Sequence, residues 1–261
     1  METATPPNQT PADPQHAALA AKPRRDPLDS LIVALDLPSS EAAMDLVDRL
    51  QGNCRWFKVG LELYCAAGNS VIEHLRERGF SVFLDLKLHD IPNTVAGAVR
   101  TVARSGASLL TIHASGGEQM MLAAAEAASA PGAPKLLAVT VLTSMDAAQL
   151  KGVGVNDSPA DQVLRLARLV KAAGIGGLVC SAEEVAEVRS AMGPDTLLVV
   201  PGIRPAVTGE VAAPDDQRRI ATPSQAIASG ASMLVVGRPI TLAPDPASAA
   251  AAILAEIAKA G

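Results

Sequence analysis

Aromatic residues are nearly missing from this chain: one Trp, one Tyr and three Phe make up 2% of 261 residues. Single-stranded nucleic acid is held on aromatic platforms beside a basic groove, and the chain offers neither. Basic runs are absent too, and the formal charge is −5, so neither nucleic acid nor an anionic membrane surface is an expected partner. No run approaches the roughly 18 apolar residues needed to cross a bilayer. Cysteine is scarce and odd in number: Cys54, Cys65 and Cys180 are far apart and form no C-x-x-C. That usage fits reduced thiols in a cytoplasmic protein better than a disulfide framework.

What the chain does have is aliphatic residues, with 49% hydrophobic overall, enough for a large core. Residues 1–29 stand apart. They are rich in Pro, Ala and polar residues, lack the apolar stretch of a secretory signal, and are expected to be a disordered N-terminal extension. Glu2, Asp13 and the prolines argue against an amphipathic transit helix there.

From Ser30 onward, short aliphatic runs alternate with Ala-rich segments of helical period. Eight such runs begin at Leu31, Trp56, Val82, Leu109, Leu136, Gly177, Leu197 and Met233. Predicted helices lie between them over 41–50, 71–78, 95–105, 117–128, 161–173, 182–192 and 223–229, with a last one over 246–260. Strands apolar on both faces belong in a parallel sheet covered by helices, and eight βα units fit a closed barrel. An α/β fold is therefore expected, a (β/α)8 TIM barrel in one domain over 30–261. An open doubly wound sheet would carry a Gly-rich dinucleotide turn after the first strand, where this chain reads ALDLPSSEAA.

Active sites of such barrels lie at the C-terminal strand ends, and there the polar residues gather. Strand one ends at Asp36, strand two carries Lys58, and strand three gives Asp85 and Lys87 with Asp90 just beyond. Strand five runs into Thr143 and Ser144, strand seven into Gly202 and Arg204, and strand eight into Gly237 and Arg238. Taken singly, Asp36 or Lys58 has a plain structural use as a surface ion, and Thr143 or Ser144 as a helix cap. Six strands delivering polar groups to one rim point instead to a site.

The chemistry of that rim divides in two. Glycine and arginine after the last two strands suit a phosphate, because glycine admits an oxyanion to backbone N–H groups and arginine adds forked, charged hydrogen bonds. Gln217, in the polar loop after strand seven, could fold over the same phosphate or simply be a solvated loop residue. On the other side, Lys58, Asp85, Lys87 and Asp90 would make an alternating array of charge, and two carboxylates near one ammonium hold that lysine protonated. A fixed N–H⁺ beside a developing carbanion suits decarboxylation followed by protonation. His89, His113, Asp85 and Asp90 could instead be metal ligands, but a lysine amid them disfavours a cation, and no metal or other cofactor is expected.

The segments ALDL, FKVG, DLKLHDIPNTV, VTVLTSM, VPGIRP, DQRRI and VVGRPI, in this order, closely resemble the bacterial orotidine 5′-phosphate decarboxylase family. D-x-K-x-x-D alone is shared with metal-dependent sugar-phosphate decarboxylases and hexulose-phosphate synthases; the LTSM and PGIRP segments are more specific. The resemblance runs from about Leu31 to the C-terminus and implies a cofactor-free homodimer with shared active sites, acting on a nucleotide substrate in UMP biosynthesis. By the same resemblance, Asp36 and Lys58 would contact the ribose and Asp85 would face the substrate carboxylate. Lys87 would protonate C6, while Asp90 and Thr94 would reach the partner's site. Thr143 and Ser144 would lie by the pyrimidine, and Arg204, Gln217, Gly237 and Arg238 around the phosphate. A metal-dependent sugar-phosphate decarboxylase and a catalytically silent nucleotide-binding barrel are the competing readings.

Overall fold

In the computed structural model the described residues are 26–205 and 220–261. Eight strands close into one parallel barrel in chain order: β1 (Leu31–Ala34), β2 (Trp56–Gly60), β3 (Ser81–Leu88), β4 (Leu109–His113), β5 (Lys135–Val139), β6 (Gly177–Val179), β7 (Leu197–Val200) and β8 (Met233–Val236). β8 pairs with β1, with Ile32 opposite Val235, which seals the sheet. All eight predicted runs are strands.

The barrel explains why these strands are apolar throughout. Leu31, Val33 and Leu35 face outward into the core beneath the helices. Ile32 and Ala34 point inward and pack with Phe83, Leu109, Leu137, Val199, Met233 and Val235. Side chains alternate along a strand, so the inward series continues past the packed interior to the rim. Ile32 and Ala34 lead to Asp36, Trp56 to Lys58, and Phe83 to Asp85 and Lys87, and the later members of each series line a common cavity.

The outer layer contains α1 (Ser40–Arg49), α3 (Ser70–Glu77), α4 (Pro92–Ser105), α5 (Gly117–Ala127), α7 (Pro159–Ala172), α8 (Val185–Met192), α9 (Pro223–Ala228) and α11 (Pro246–Ala260), each close to a predicted segment. Their starts obey ordinary capping chemistry: Ser39, Ser158, Thr222 and Asp245 each accept a hydrogen bond from a backbone N–H of the first turn. Three short helices were not expected: α2 (Leu61–Ala67), α6 (Ala147–Gly152) and α10 (Arg238–Thr241). They follow β2, β5 and β8 at the rim, and are too short to show a helical period in sequence.

At the opposite end, the Arg189 guanidinium donates to the carbonyls of Gly193 (2.9 Å), Thr196 (2.7 Å) and Gly230 (2.8 Å) and to Ser232 Oγ (3.0 Å). It thereby ties the turns entering β7 and β8 together. The boundary expected at residue 29 differs from the structure, because Pro27–Asp29 form a 3-10 turn capped by Asp26. Arg55 pairs with Asp26 at 2.9 Å and Asp29 at 3.2 Å; the rest of the expected extension, residues 1–25, lies outside the described residues.

Candidate active site

A cavity of about 680 Å³ opens at the C-terminal ends of the strands, the size of a small-ligand site. Of the residues expected there, Asp36, Lys58, Asp85, Lys87, Thr143, Ser144, Arg204, Gly237 and Arg238 line it, as does Gly202. Gln217 lies outside the described residues. Asp90 and Thr94 do not line the cavity of their own chain; both are exposed, Asp90 in the turn after β3 and Thr94 in the first turn of α4.

Four side chains, from β2, β3 and the segment just after β1, form a row of alternating charge. Lys58 Nζ lies 2.7 Å from Asp36 Oδ1 and 3.7 Å from Asp85 Oδ2. Lys87 Nζ donates to both Asp85 oxygens, at 2.9 and 2.8 Å. Exposure varies along the row: the Lys58 and Asp85 side chains are 11% and 12% exposed, against 56% for Asp36 and 32% for Lys87. The middle is therefore sheltered from water, and its charges are stabilised by one another rather than by solvent.

Asp85 is the hub. Burial alone pushes its carboxyl up, but the ammonium groups of Lys58 and Lys87, with hydrogen bonds from Lys87 and Thr111, outweigh burial and hold it below the usual carboxylate range. It is an anion at neutral pH. Sequence proximity had placed Asp85 and Asp90 on either side of Lys87. Within one chain, the lysine between two carboxylates is instead Lys58, while Asp90 turns back to accept a 2.6 Å hydrogen bond from the Ile91 N–H.

Two further features belong to this row. Gly60 ends β2 beside Lys58, where a Cβ would lie 2.8 Å from Lys58 Nζ and 2.9 Å from Asp36 Oδ1; its hydrogen leaves room for the ion pair. Lys87 has φ of +49°, one of two non-glycine residues with positive φ among those described. The pairing of β3 with β4 shifts register between Leu84 and Leu88, so β3 bulges where it carries its two charged residues.

Thr143 and Ser144 sit in the connection from β5 to α6. Arg204 lies just beyond β7, with its guanidinium donating to the Ile203 carbonyl at 2.9 Å, and its backbone N–H is tied to the Ala221 carbonyl at 2.9 Å. Gly202 before it takes φ of +76°, a turn that favours glycine. Gly237 and Arg238 mark the turn from β8 into α10. The rings of His89 and His113 lie 5.4 Å apart, and burial, then His89 and Lys87, push the His113 imidazole down. Among the described residues, no group of three or more His, Cys, Asp or Glu is arranged to hold a metal ion.

Thr111 is a further member of the site. It is fully buried on β4, accepts from the Lys87 backbone N–H at 2.8 Å and donates to Asp85 Oδ1 at 3.0 Å. In LLTIHA a single threonine reads as a β-branched strand residue, and only the register of β3 against β4 reveals its partners.

Residues 29–253 match the family model described as "Orotidine 5'-phosphate decarboxylase / HUMPS family". The chain belongs to this family. It is 53% identical over 229 residues to an orotidine 5'-phosphate decarboxylase of Anaeromyxobacter sp. (strain K), covering 88% of this chain and 98% of that one. A relative of the same name from Halorhodospira halophila is 53% identical over 232 residues, covering 88% and 97%. The crystal structure of orotidine 5'-phosphate decarboxylase from Lactobacillus acidophilus superposes with a TM-score of 0.76 at 41% identity, covering 88% of this chain and 99% of that one. The decarboxylase/HUMPS family match thus spans all eight strands and every described residue of the charged row.

Proposed function

We propose that this chain converts orotidine 5′-phosphate to UMP and carbon dioxide, the decarboxylation step of pyrimidine biosynthesis, with Lys87 as the proton donor. It is a carboxy-lyase. The observation that carries this reading is the row Asp36, Lys58, Asp85 and Lys87 in a cavity that also contains Arg204 and Arg238.

The chemistry follows from the charges. The bond from C6 to the carboxylate carbon breaks, carbon dioxide leaves, and the bonding electron pair remains on C6. A cation beside that carbon stabilises the pair as it forms, and a fixed dipole or ion in a sheltered site is worth far more than in water. Lys87 then gives a proton to C6, becomes a neutral amine and is reprotonated from solvent. Asp85, held ionised by its neighbours, positions that ammonium and opposes the substrate carboxylate, which favours the state in which the charge has left as neutral carbon dioxide. Lys58 and Asp36 contact the ribose, Thr143 and Ser144 the pyrimidine, and Arg204, Gln217, Gly237 and Arg238 the phosphate. The row supplies its own cations, and the reaction needs no cofactor in this reading.

Asp90 and Thr94 serve the cavity of a second copy in a homodimer. Their exposure, in a run that also leaves Ile91 67% exposed, supports this, as does their absence from the cavity of their own chain. A cytoplasmic location is part of the same proposal. It draws on the free cysteines, and among the described residues no helix is long and apolar enough to cross a membrane.

The reading is tested by incubating the purified protein with orotidine 5′-phosphate, with and without EDTA, while recording ultraviolet absorbance and released carbon dioxide. Stoichiometric UMP and carbon dioxide in both conditions are expected. Activity that vanished with EDTA and returned with Mg²⁺ would move the chain to the metal-dependent chemistry, and tight UMP binding without turnover would make it a nucleotide-binding barrel.

A further inference from the structure

We infer that Thr111 is a positioning residue for the reaction, a role that rests on the function proposed above: its hydroxyl, rather than its bulk, fixes Lys87 and Asp85 relative to each other. Between Leu84 and Leu88 β3 has three residues, where β4 has only Thr111 between Leu110 and Ile112. The surplus chain contains Asp85 and Lys87 and buckles into a left-handed backbone at Lys87, with φ of +49°. A lysine there is strained, and such a conformation persists only when its surroundings over-determine it. The displaced Lys87 N–H needs an acceptor other than a regular ladder partner.

Thr111 supplies it from the adjoining strand. The Lys87 N–H donates to Thr111 Oγ1 at 2.8 Å, and the same hydroxyl donates to Asp85 Oδ1 at 3.0 Å. A hydroxyl has one hydrogen, and ionised Asp85 can only accept, so the direction of both bonds is fixed. The ring closes through the Lys87 ammonium, which returns to both Asp85 oxygens at 2.9 and 2.8 Å. Backbone, hydroxyl, carboxylate and ammonium therefore form one circuit. Thr111 is fully buried, so water has no ready route to replace it.

Valine and serine separate the hydroxyl from the bulk. Thr111→Val keeps the β-branched shape and loses both bonds; Thr111→Ser keeps the oxygen and loses a methyl group. Losing a hydrogen bond to a charged group is expected to lower kcat on the order of 10- to 100-fold in Thr111→Val, with the Kd for UMP within about threefold of the parent value. Thr111→Ser should recover most of that rate despite the buried methyl it loses, which separates the hydroxyl from the bulk. A Thr111→Val protein retaining kcat within about twofold, or a Thr111→Ser protein as slow as Thr111→Val, would overturn the assignment.

A parent protein that released no carbon dioxide would count against the proposed function instead. Residue-resolved amide hydrogen exchange then decides the role of Thr111. Lys87 N–H should exchange faster in Thr111→Val than in the parent or Thr111→Ser, and equal rates in all three would overturn the role.

Discussion

Asp85 grips the Lys87 ammonium with both carboxylate oxygens, at 2.9 and 2.8 Å. If Lys87 is the acid, as proposed, it is aimed before substrate arrives, and little reorganisation remains for the chemical step. Lys87→Ala should lower kcat by at least 10²- to 10⁴-fold, the usual range for a lost general acid. UMP should still bind, since the arginines around the cavity are intact, and calorimetric titration beside steady-state rates will separate the two effects. A variant that turned over near the parent rate would remove Lys87 from its role.

The depressed carboxyl of Asp85 fixes the sign of a pH effect. Its folded-state pKa lies below its unfolded value, so the unfolded chain holds the proton more tightly. The stability Asp85 contributes is complete above the unfolded value of about 4 and is lost as pH falls through the lower folded value. The difference in unfolding free energy between the parent and Asp85→Asn should be flat from about pH 8 to about pH 5 and shrink below about pH 4. Urea titrations across that range will check it; a difference that changed between about pH 6 and pH 8 would point to another group.

Gly60 gives a test remote from the reacting carbon. Its backbone, with φ of −92°, suits any residue, so Gly60→Ala should fold normally. The added methyl would lie within 3 Å of both Lys58 Nζ and Asp36 Oδ1, and these flexible ends must move apart. A roughly tenfold loss in kcat/KM with an unchanged melting point is expected, or about 1.4 kcal/mol of transition-state binding. Unaltered kinetics would show that the pair tolerates displacement.

For the arginines, the discriminating measurement uses two substrates. Arg238 is exposed in the open cavity, and Arg238→Ala should weaken transition-state binding of the nucleotide by about 2 to 5 kcal/mol, the range for a charged contact that bound phosphate would bury. Orotidine lacking the phosphate should react poorly with the parent and be slowed little further by the substitution. Equal damage to both substrates would mean that Arg238 acts through the fold rather than on phosphate.

Sharing of sites across a two-fold axis is measurable by subunit exchange. Lys87→Ala and Asp90→Ala proteins, each nearly inactive, should regain activity when mixed, because one site of a mixed dimer receives both lesions and the other neither. Random exchange makes about half the dimers mixed, so roughly a quarter of all sites should recover. Mixed dimers shown to form without recovery would assign Asp90 to the site of its own chain.

How much of this was legible beforehand depends on what each residue's role requires. The strands were readable because both faces are buried, giving unbroken runs such as LIVALDL, and the inward parity carried Asp36 and Asp85 to the rim without knowledge of tertiary contacts. Contacts between strands were not readable. Lys58 reaches Asp36 and Asp85 from a separate strand, so that Asp36 closes the row within one chain is visible only from the packing of β1 beside β2. Thr111 acts only through the shifted register of β3, and α2, α6 and α10 are too short to leave a periodic mark.

The left-handed backbone at Lys87 also has a historical consequence. Glycine adopts that conformation freely, whereas a lysine is held there at some expense to the fold, on the order of 1–2 kcal/mol. Under the proposed mechanism, the proton transfer is what calls for a lysine side chain at this position. In a descendant freed from that demand, drift has a downhill direction, toward glycine or asparagine, and either residue at this place in the D-x-K motif would identify a retired enzyme from its gene alone.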